Sequence, residues 1–379
     1  MQAEPPDQSF CSAKDSHFGE TSHLILSPSG VICFAAYDDF YRVMNSRCAE
    51  RSHAFLTLSM AVSPEKTVGS LLKVFVPMVE SVAILGGQGQ LAFELQCLLA
   101  PDSGRSLSIL GREDLDVTKA AQVDAVLSGI HPQIVINCAA QTQVDVAEST
   151  SENTFAINAT GAGHVGRWCA ANRAKLVYIS TDHVFGQAID RAHARPWRET
   201  DEPQPVSVYS RSKLAGEQAT LEACPHSIVV RTCGLYGERP AKGKGNFVQT
   251  MLRLAQQRPV LKVVDDQWCT PSSAKDVAQA ICSLLDDPEP FDPTTNLTSR
   301  IWHITNTGST TWAQLAREIF SLQGFTTEVI PITTAEFNAP AHRPGYSVLD
   351  TSRFTQRYGE LPSWKEALAT YLQMLQRSE

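Results

Sequence analysis

From about residue 80 onward, short apolar runs alternate with stretches whose apolar residues recur at helical spacing. Ser81-Val82-Ala83-Ile84-Leu85 is nearly continuous in apolar character, as in a strand buried on both faces of a parallel sheet. Further strands are predicted at Leu107–Leu110, Ile134–Asn137, Leu176–Ser180 and His226–Arg231, with helices near Lys119–Ser128 and over Glu152–Asn172 between them. A helix also starts near Tyr209. Strands that alternate with helices imply a parallel sheet with crossover helices, so the expected fold is α/β and doubly wound. Such a sheet binds ligands at the C-terminal ends of its strands.

Beyond Gly237 the alternation loosens. Ala241-Lys242-Gly243-Lys244-Gly245 reads as a loop, followed by a helix around Asn246–Gln257 and a strand at Val260–Val264. Ile301–Ile304 is expected to return to the main sheet. Three regions follow: an extension at residues 1–77, a nucleotide-binding Rossmann domain at 78–240, and a smaller lobe at 241–379. Segments near 187–205 are assigned to that lobe, and residues 301–305 to the sheet. Residues 1–20 are polar and contain proline, a composition that resists compact folding. Met78 leads directly into the first strand, so residues 1–77 are expected to be an accessory extension or the product of a start placed too far upstream.

The first strand runs into Gly86-Gly87-Gln88-Gly89-Gln90-Leu91-Ala92. Strand, glycine turn and helix together form the context of a dinucleotide fingerprint. Gly86 permits the tight turn, and Gly89 lets a pyrophosphate approach the helix N-terminus, where free N–H groups favour anions. Gln90 and Leu91 open that helix. The second strand ends at Leu110-Gly111-Arg112. An arginine there accepts a ribose 2′-phosphate where an acid would take the hydroxyl. Arg112 therefore points to NADPH, NADH being the alternative; a solvated arginine is the plain reading.

Tyr209 and Lys213 lie four apart in Val208-Tyr209-Ser210-Arg211-Ser212-Lys213-Leu214-Ala215-Gly216-Glu217. On a helix they share one face, and a nearby ammonium is expected to lower the phenol's pKa toward the working range. Ile179-Ser180-Thr181-Asp182 places hydroxyls and a carboxylate at a strand end. With Thr181, the pair completes the Ser/Thr–Tyr–Lys set of the short-chain dehydrogenases, and the order of motifs resembles the extended branch of that superfamily.

Finer motifs resemble the dTDP-4-dehydrorhamnose reductase family. They include Arg112-x-x-Leu115-Asp116-Val117-Thr118, Asn137-Cys138-Ala139-Ala140-Gln141-Thr142-x-Val144-Asp145-x-Ala147-Glu148 and Ser180-Thr181-Asp182-x-Val184-Phe185. Asp266-Gln267-x-x-x-Pro271, Thr310-Thr311-Trp312 and Arg343-Pro344-x-x-Ser347-x-Leu349-Asp350 extend the likeness to roughly residues 79–370. The resemblance implies NADPH-dependent reduction of the 4-keto group of a dTDP-linked 6-deoxysugar. Tyr209 would protonate the oxygen, Thr181 would hydrogen-bond it, and Lys213 would bind the nicotinamide ribose. It also implies cofactor contacts at Asp116, Val117, Ala139 and Ala140, and substrate contacts at Thr142, Val144, Asp145, Asp182, His183, Gln267 and Arg343. Asn158 matches a helix asparagine that supports a proton relay in related enzymes.

Alternatives stay open at several of these positions. Asp145 and Glu148 equally suit a solvated helix start. Arg343 suits either a diphosphate or a structural ion pair. Two departures touch sugar recognition. Gly234 stands where the family commonly has a tryptophan that packs on the sugar, leaving an expected gap, and His183 stands for the usual tyrosine. His183 suits a second acid, a pocket hydrogen-bonder or a space-filler. Another sugar-nucleotide ketoreductase, an epimerase, or a non-catalytic NADP-binding regulatory subunit are the competing functions.

Charge and cysteine usage narrow the setting. There are 32 basic and 40 acidic residues, a net charge of −8, with no basic cluster. This argues against nucleic acid or an anionic membrane as partner. Ten cysteines are scattered without C-x-x-C spacing, as in a reduced cytoplasmic protein with no zinc or other metal site. No run is long enough to span a membrane. A homodimer is compatible with the sequence, which does not determine oligomeric state.

Overall fold

The computed structural model describes residues 22–26, 32–36, 80–99, 104–187, 194–239 and 245–378. The chain divides into two compact units, Met1–Pro77 and Met78–Glu379. In the first, β1 (Ser22–Leu26) and β2 (Ile32–Ala36) pair antiparallel, with Ser22 opposite Ala36. The expectations for residues 1–20 lie outside the described residues.

The second unit is built on six parallel strands. In chain order these begin with β3 (Glu80–Leu85), α1 (Gln90–Leu98), β4 (Arg105–Leu110), α2 (Ala120–Ile130) and β5 (Ile134–Asn137). Next come α3 (Val144–Ser149), α4 (Ser151–Phe155), a π-helical turn at Ala156–Thr160, α5 (Gly161–Asn172) and β6 (Lys175–Thr181). Then α6 (Val208–Ala223) and β7 (Ser227–Thr232) complete the alternation. The C-terminal part adds α7 (Phe247–Ala255), β8 (Val260–Val264), β9 (Trp268–Cys269) and α8 (Ala274–Leu285), of which α8 packs on the main sheet beside α1 and not in a separate lobe. It continues with β10 (Ile301–His303), β11 (Thr310–Thr311), α9 (Trp312–Gln323), β12 (Glu328–Ile332) and α10 (Thr334–Phe337). Helices α11 (Ser352–Tyr358) and α12 (Trp364–Ser378) end the chain.

The sheet order is β10-β7-β6-β5-β3-β4, all neighbours parallel. Residues 301–303 therefore return to the main sheet as expected. Alternate strand residues feed two cores. Val82, Ile84, Ile136 and Val230 pack with Leu91 and Leu95 of α1 and Val277 and Ile281 of α8. On the opposite face Ala83, Leu85, Val135 and Leu176 pack with Leu127 of α2 and Val165 and Trp168 of α5. A third core joins Val248, Leu261, Ile319 and Leu368 of the C-terminal part.

One expectation is corrected. The single helix expected over Glu152–Asn172 is interrupted by the π turn at Ala156–Thr160. That turn brings the main-chain carbonyl of Asn158 to the hydroxyl of Tyr178, which donates to it at 2.8 Å. Gly216 of α6 packs against the same two groups so tightly that a Cβ would overlap both. Three segments thus meet at backbone distance, and side-chain periodicity carries no sign of it.

Candidate active site

The C-terminal strand ends open into a cleft of about 470 Å³. On one side β3 passes through Gly86, whose φ of +73° suits glycine, into the turn that Gly89 closes onto α1. A Cβ at Gly86 would stand 2.7 Å from the main-chain nitrogen of Ala139, so the crossing demands glycine. The first turn of α1 carries no acidic residue. This combination fits a dinucleotide pyrophosphate. Gly89, Gln90, Leu91 and Ala140 line the cleft; Gly86, Arg112, Asp116, Val117 and Ala139 lie outside its lining. Gln90 braces the cleft by accepting from Asn246 at 2.9 Å and donating to the Leu235 carbonyl at 3.3 Å. Arg112 is exposed, while Asp116 accepts from the Thr118 hydroxyl at 2.7 Å, which holds its carboxyl low.

Thr181, Tyr209 and Lys213 come together at the cleft floor. Helix α6 is placed by a capping box between Ser207 and Ser210, and by Glu148, which accepts from the Val208 N–H at 2.8 Å. Glu148 is therefore no solvated helix start; it anchors the helix that carries Tyr209. Asn158 accepts from the Gln141 N–H at 2.8 Å and donates to the Gln141 carbonyl and, at 2.9 Å, to Ser212.

The electrostatics depart from expectation. Burial pushes the Tyr209 phenol up to about 12, against a hydrogen bond with Thr181 that lowers it. Lys213 does not depress it. Its ammonium donates to the Ile179 carbonyl at 2.6 Å and lies 4.0 Å from the centre of the Tyr178 ring. Burial drives Lys213 itself down to about 7, with Glu217 opposing. Desolvation outweighs the pairing that the four-residue spacing suggests.

The opposite wall comes from the lobe. Gln267 and Arg343 line the cleft, with Thr142, Val144, Asp182 and His183. Arg343 donates to Asp145 at 2.8 Å, so the ion-pair alternative is realised and Asp145 lies outside the lining. Gln267 donates to Thr334 at 2.9 Å. Asp182 accepts from Ser347 at 2.5 Å through one oxygen and from Thr181 at 3.2 Å through the other. His183 stands edge-on to Tyr209, ring centres 5.8 Å apart, and burial pushes its pKa down. A neutral imidazole does not suit the second-acid alternative.

The gap expected at Gly234 is closed. Its φ is +47°, and a Cβ there would meet Trp312 at 3.2 Å and the Pro271 backbone at 3.3 Å. Trp312 lies in the Thr310-Thr311-Trp312 motif, which carries family likeness but no sign of a place in the cleft. Ser347 likewise lines the cleft, and its residue type and spacing within the motif give no sign of that. Cys233 and Cys269, both buried at the cleft, carried no signal; contact with Cys269 and burial push the Cys233 thiol well above its ordinary value.

Comparison with known proteins now decides the family. Residues 80–377 match the family described as RmlD substrate binding domain. The chain is 38% identical over 295 residues to dTDP-4-dehydrorhamnose reductase of Mycobacterium tuberculosis (strain ATCC 25618 / H37Rv), covering 77% of this chain and 92% of the relative. It belongs to the dTDP-4-dehydrorhamnose reductase family. The Streptomyces griseus reductase is 39% identical over 292 residues, 75% of this chain and 90% of that one. A crystal structure of dTDP-4-dehydrorhamnose reductase from Bacillus anthracis str. Ames in complex with NADP is 36% identical, with TM-score 0.71, covering 78% of this chain and all of that one. UDP-glucose 4-epimerase from Thermotoga maritima shares the fold at 18% identity and TM-score 0.64. The chain is an oxidoreductase of this reductase family, with its Rossmann-like α/β fold. No helix among the described residues is long and apolar enough to cross a membrane.

Proposed function

We propose that this chain reduces dTDP-4-dehydro-L-rhamnose to dTDP-L-rhamnose with NADPH. The carrying observation is the meeting of Thr181, Tyr209 and Lys213 on the floor of a cleft whose other end is the glycine turn at Gly86–Gly89. When bound, NADPH supplies a hydride to the carbonyl carbon. Tyr209 gives its proton to the carbonyl oxygen as negative charge develops there. A phenol held near 12 by burial is fully protonated at neutral pH, the form a donor needs. Thr181 hydrogen-bonds the same oxygen and orients Tyr209. Lys213 binds the nicotinamide ribose, Arg112 takes the 2′-phosphate, and the lobe at 241–379 with Gln267, Arg343 and His183 receives the dTDP-sugar.

NADPH oxidation with enzymatically prepared dTDP-4-dehydro-L-rhamnose tests this reading. Turnover is expected, with kcat lowered about 10²- to 10⁴-fold by Tyr209→Phe. NADPH binding without oxidation of that sugar would sink the proposal.

A further inference from the structure

Tyr209, Lys213 and Glu217 recur every fourth residue on α6 and share one face. Each meets the end of β6. Tyr209 bonds Thr181, Lys213 donates to the Ile179 carbonyl at 2.6 Å, and Glu217 accepts from the Ser180 hydroxyl at 2.5 Å. The first two contacts belong to the reacting set, and the third has no part in the chemistry described so far. Glu217 also receives two hydrogen bonds from Arg231 of β7, at 2.9 and 2.7 Å, and both side chains are only 2% exposed. Arg231 is the register partner of Ser180, packs over the Phe185 ring at 5.1 Å, and reaches His303 of β10 at 3.4 Å. One carboxylate thus gathers β6, β7 and α6 directly beneath the reacting residues. An apolar pair of equal volume commonly stabilises a fold as well as a buried ion pair does. Stability alone does not account for a charge here.

We propose that Glu217, held by Arg231 and Ser180, is a positioning residue for the reaction. It sets the register of Tyr209 and Lys213 against β6 and keeps the Lys213 ammonium charged. The inference deepens the reductase reading and rests on it. The groups facing Lys213 are Tyr209 and Glu217 from α6, Tyr178 from β6 and Cys138 after β5, with Arg231 of β7 facing Glu217. Burial pushes Cys138 up to about 12, Tyr209 likewise, and Tyr178 well above its ordinary value. Glu217 is the carboxyl group in this set, and both of its oxygens accept from Arg231. Glu217 is the larger of the two influences that oppose the desolvation of Lys213, Cys138 being the smaller.

The test uses Glu217→Gln, the double variant Glu217→Gln/Arg231→Met, which leaves no unpaired buried cation, and Ser180→Ala, which removes one rung and no charge. Lys213 is titrated by ¹³Cε NMR in the protein alone, its resonance assigned with Lys213→Arg. Both Glu217 variants are expected to lower its midpoint by about one unit. The alkaline limb of kcat should move to lower pH with it, and kcat at pH 7.5 should fall about tenfold or more while KM for the sugar nucleotide changes little. Ser180→Ala should lower kcat about threefold without moving the limb. A folded double variant with wild-type kcat and an unmoved Lys213 titration overturns the inference and leaves Glu217 as a structural pair. If the wild type turns over no keto sugar, the reductase reading fails; the NMR titration then still decides whether Glu217 sets the charge of Lys213.

Discussion

The two walls of the cleft are held by different forces. The wall beside the glycine turn is main chain against main chain: Gly86 against Ala139, with the Gly87 and Gly89 N–H groups bonded to the carbonyls of Leu110 and Gly86. The lobe wall is joined by side chains: Ser347 to Asp182, Gln267 and Asp266 to Thr334, Thr311 to Asp265, and Arg343 to Asp145. A backbone contact tolerates almost any nearby side chain but no Cβ at the crossing. A side-chain contact yields one pair at a time. The first wall should therefore fail abruptly and the second by degrees.

Three substitutions test that contrast, in falling order of effect. Gly86→Ala forces a Cβ against Ala139 at a φ of +73°, and should cost about 2–4 kcal/mol in denaturant unfolding and abolish measurable NADPH binding. Ser347→Ala leaves one oxygen of buried Asp182 without its donor. A loss of about 1–3 kcal/mol is expected, with KM for the sugar nucleotide raised and NADPH affinity intact. Arg343→Ala breaks a pair whose side chains are 20% and 43% exposed. It should change stability by only about 0.2–1 kcal/mol, an effect that 1 M salt erases. If Ser347→Ala unfolded the protein as thoroughly as Gly86→Ala, the contrast between the walls would be wrong.

The same contrast explains what could be read from the sequence. β5 and β7 are buried along their full length, so their apolar runs announced a parallel sheet. Gly86, Gly89, Thr181, Tyr209 and Lys213 were legible because their chemistry needs fixed residue types at fixed spacing. The protonation of that set was not legible. Spacing suggests charge pairing, while the outcome at Tyr209 and Lys213 follows from desolvation, which depends on everything packed around them. Nor was the filling of the site at Gly234 visible, because Trp312 reaches it from the start of α9. The π turn at Asn158 depends on the approach of Gly216 and Tyr178, two partners distant in sequence.

Asp182 spans the walls, with one carboxylate oxygen toward Thr181 and the other toward Ser347. Swinging the Arg343–Ser347 segment away strips that second oxygen of its donor while Asp182 stays at the base of the cleft. An open form penalised by about 1–3 kcal/mol is populated roughly five- to 150-fold less than the closed one. The cleft therefore stands assembled before its sugar nucleotide arrives. Whatever sugar nucleotide enters meets a wall already in place, and most of its binding free energy remains available for orienting the keto group.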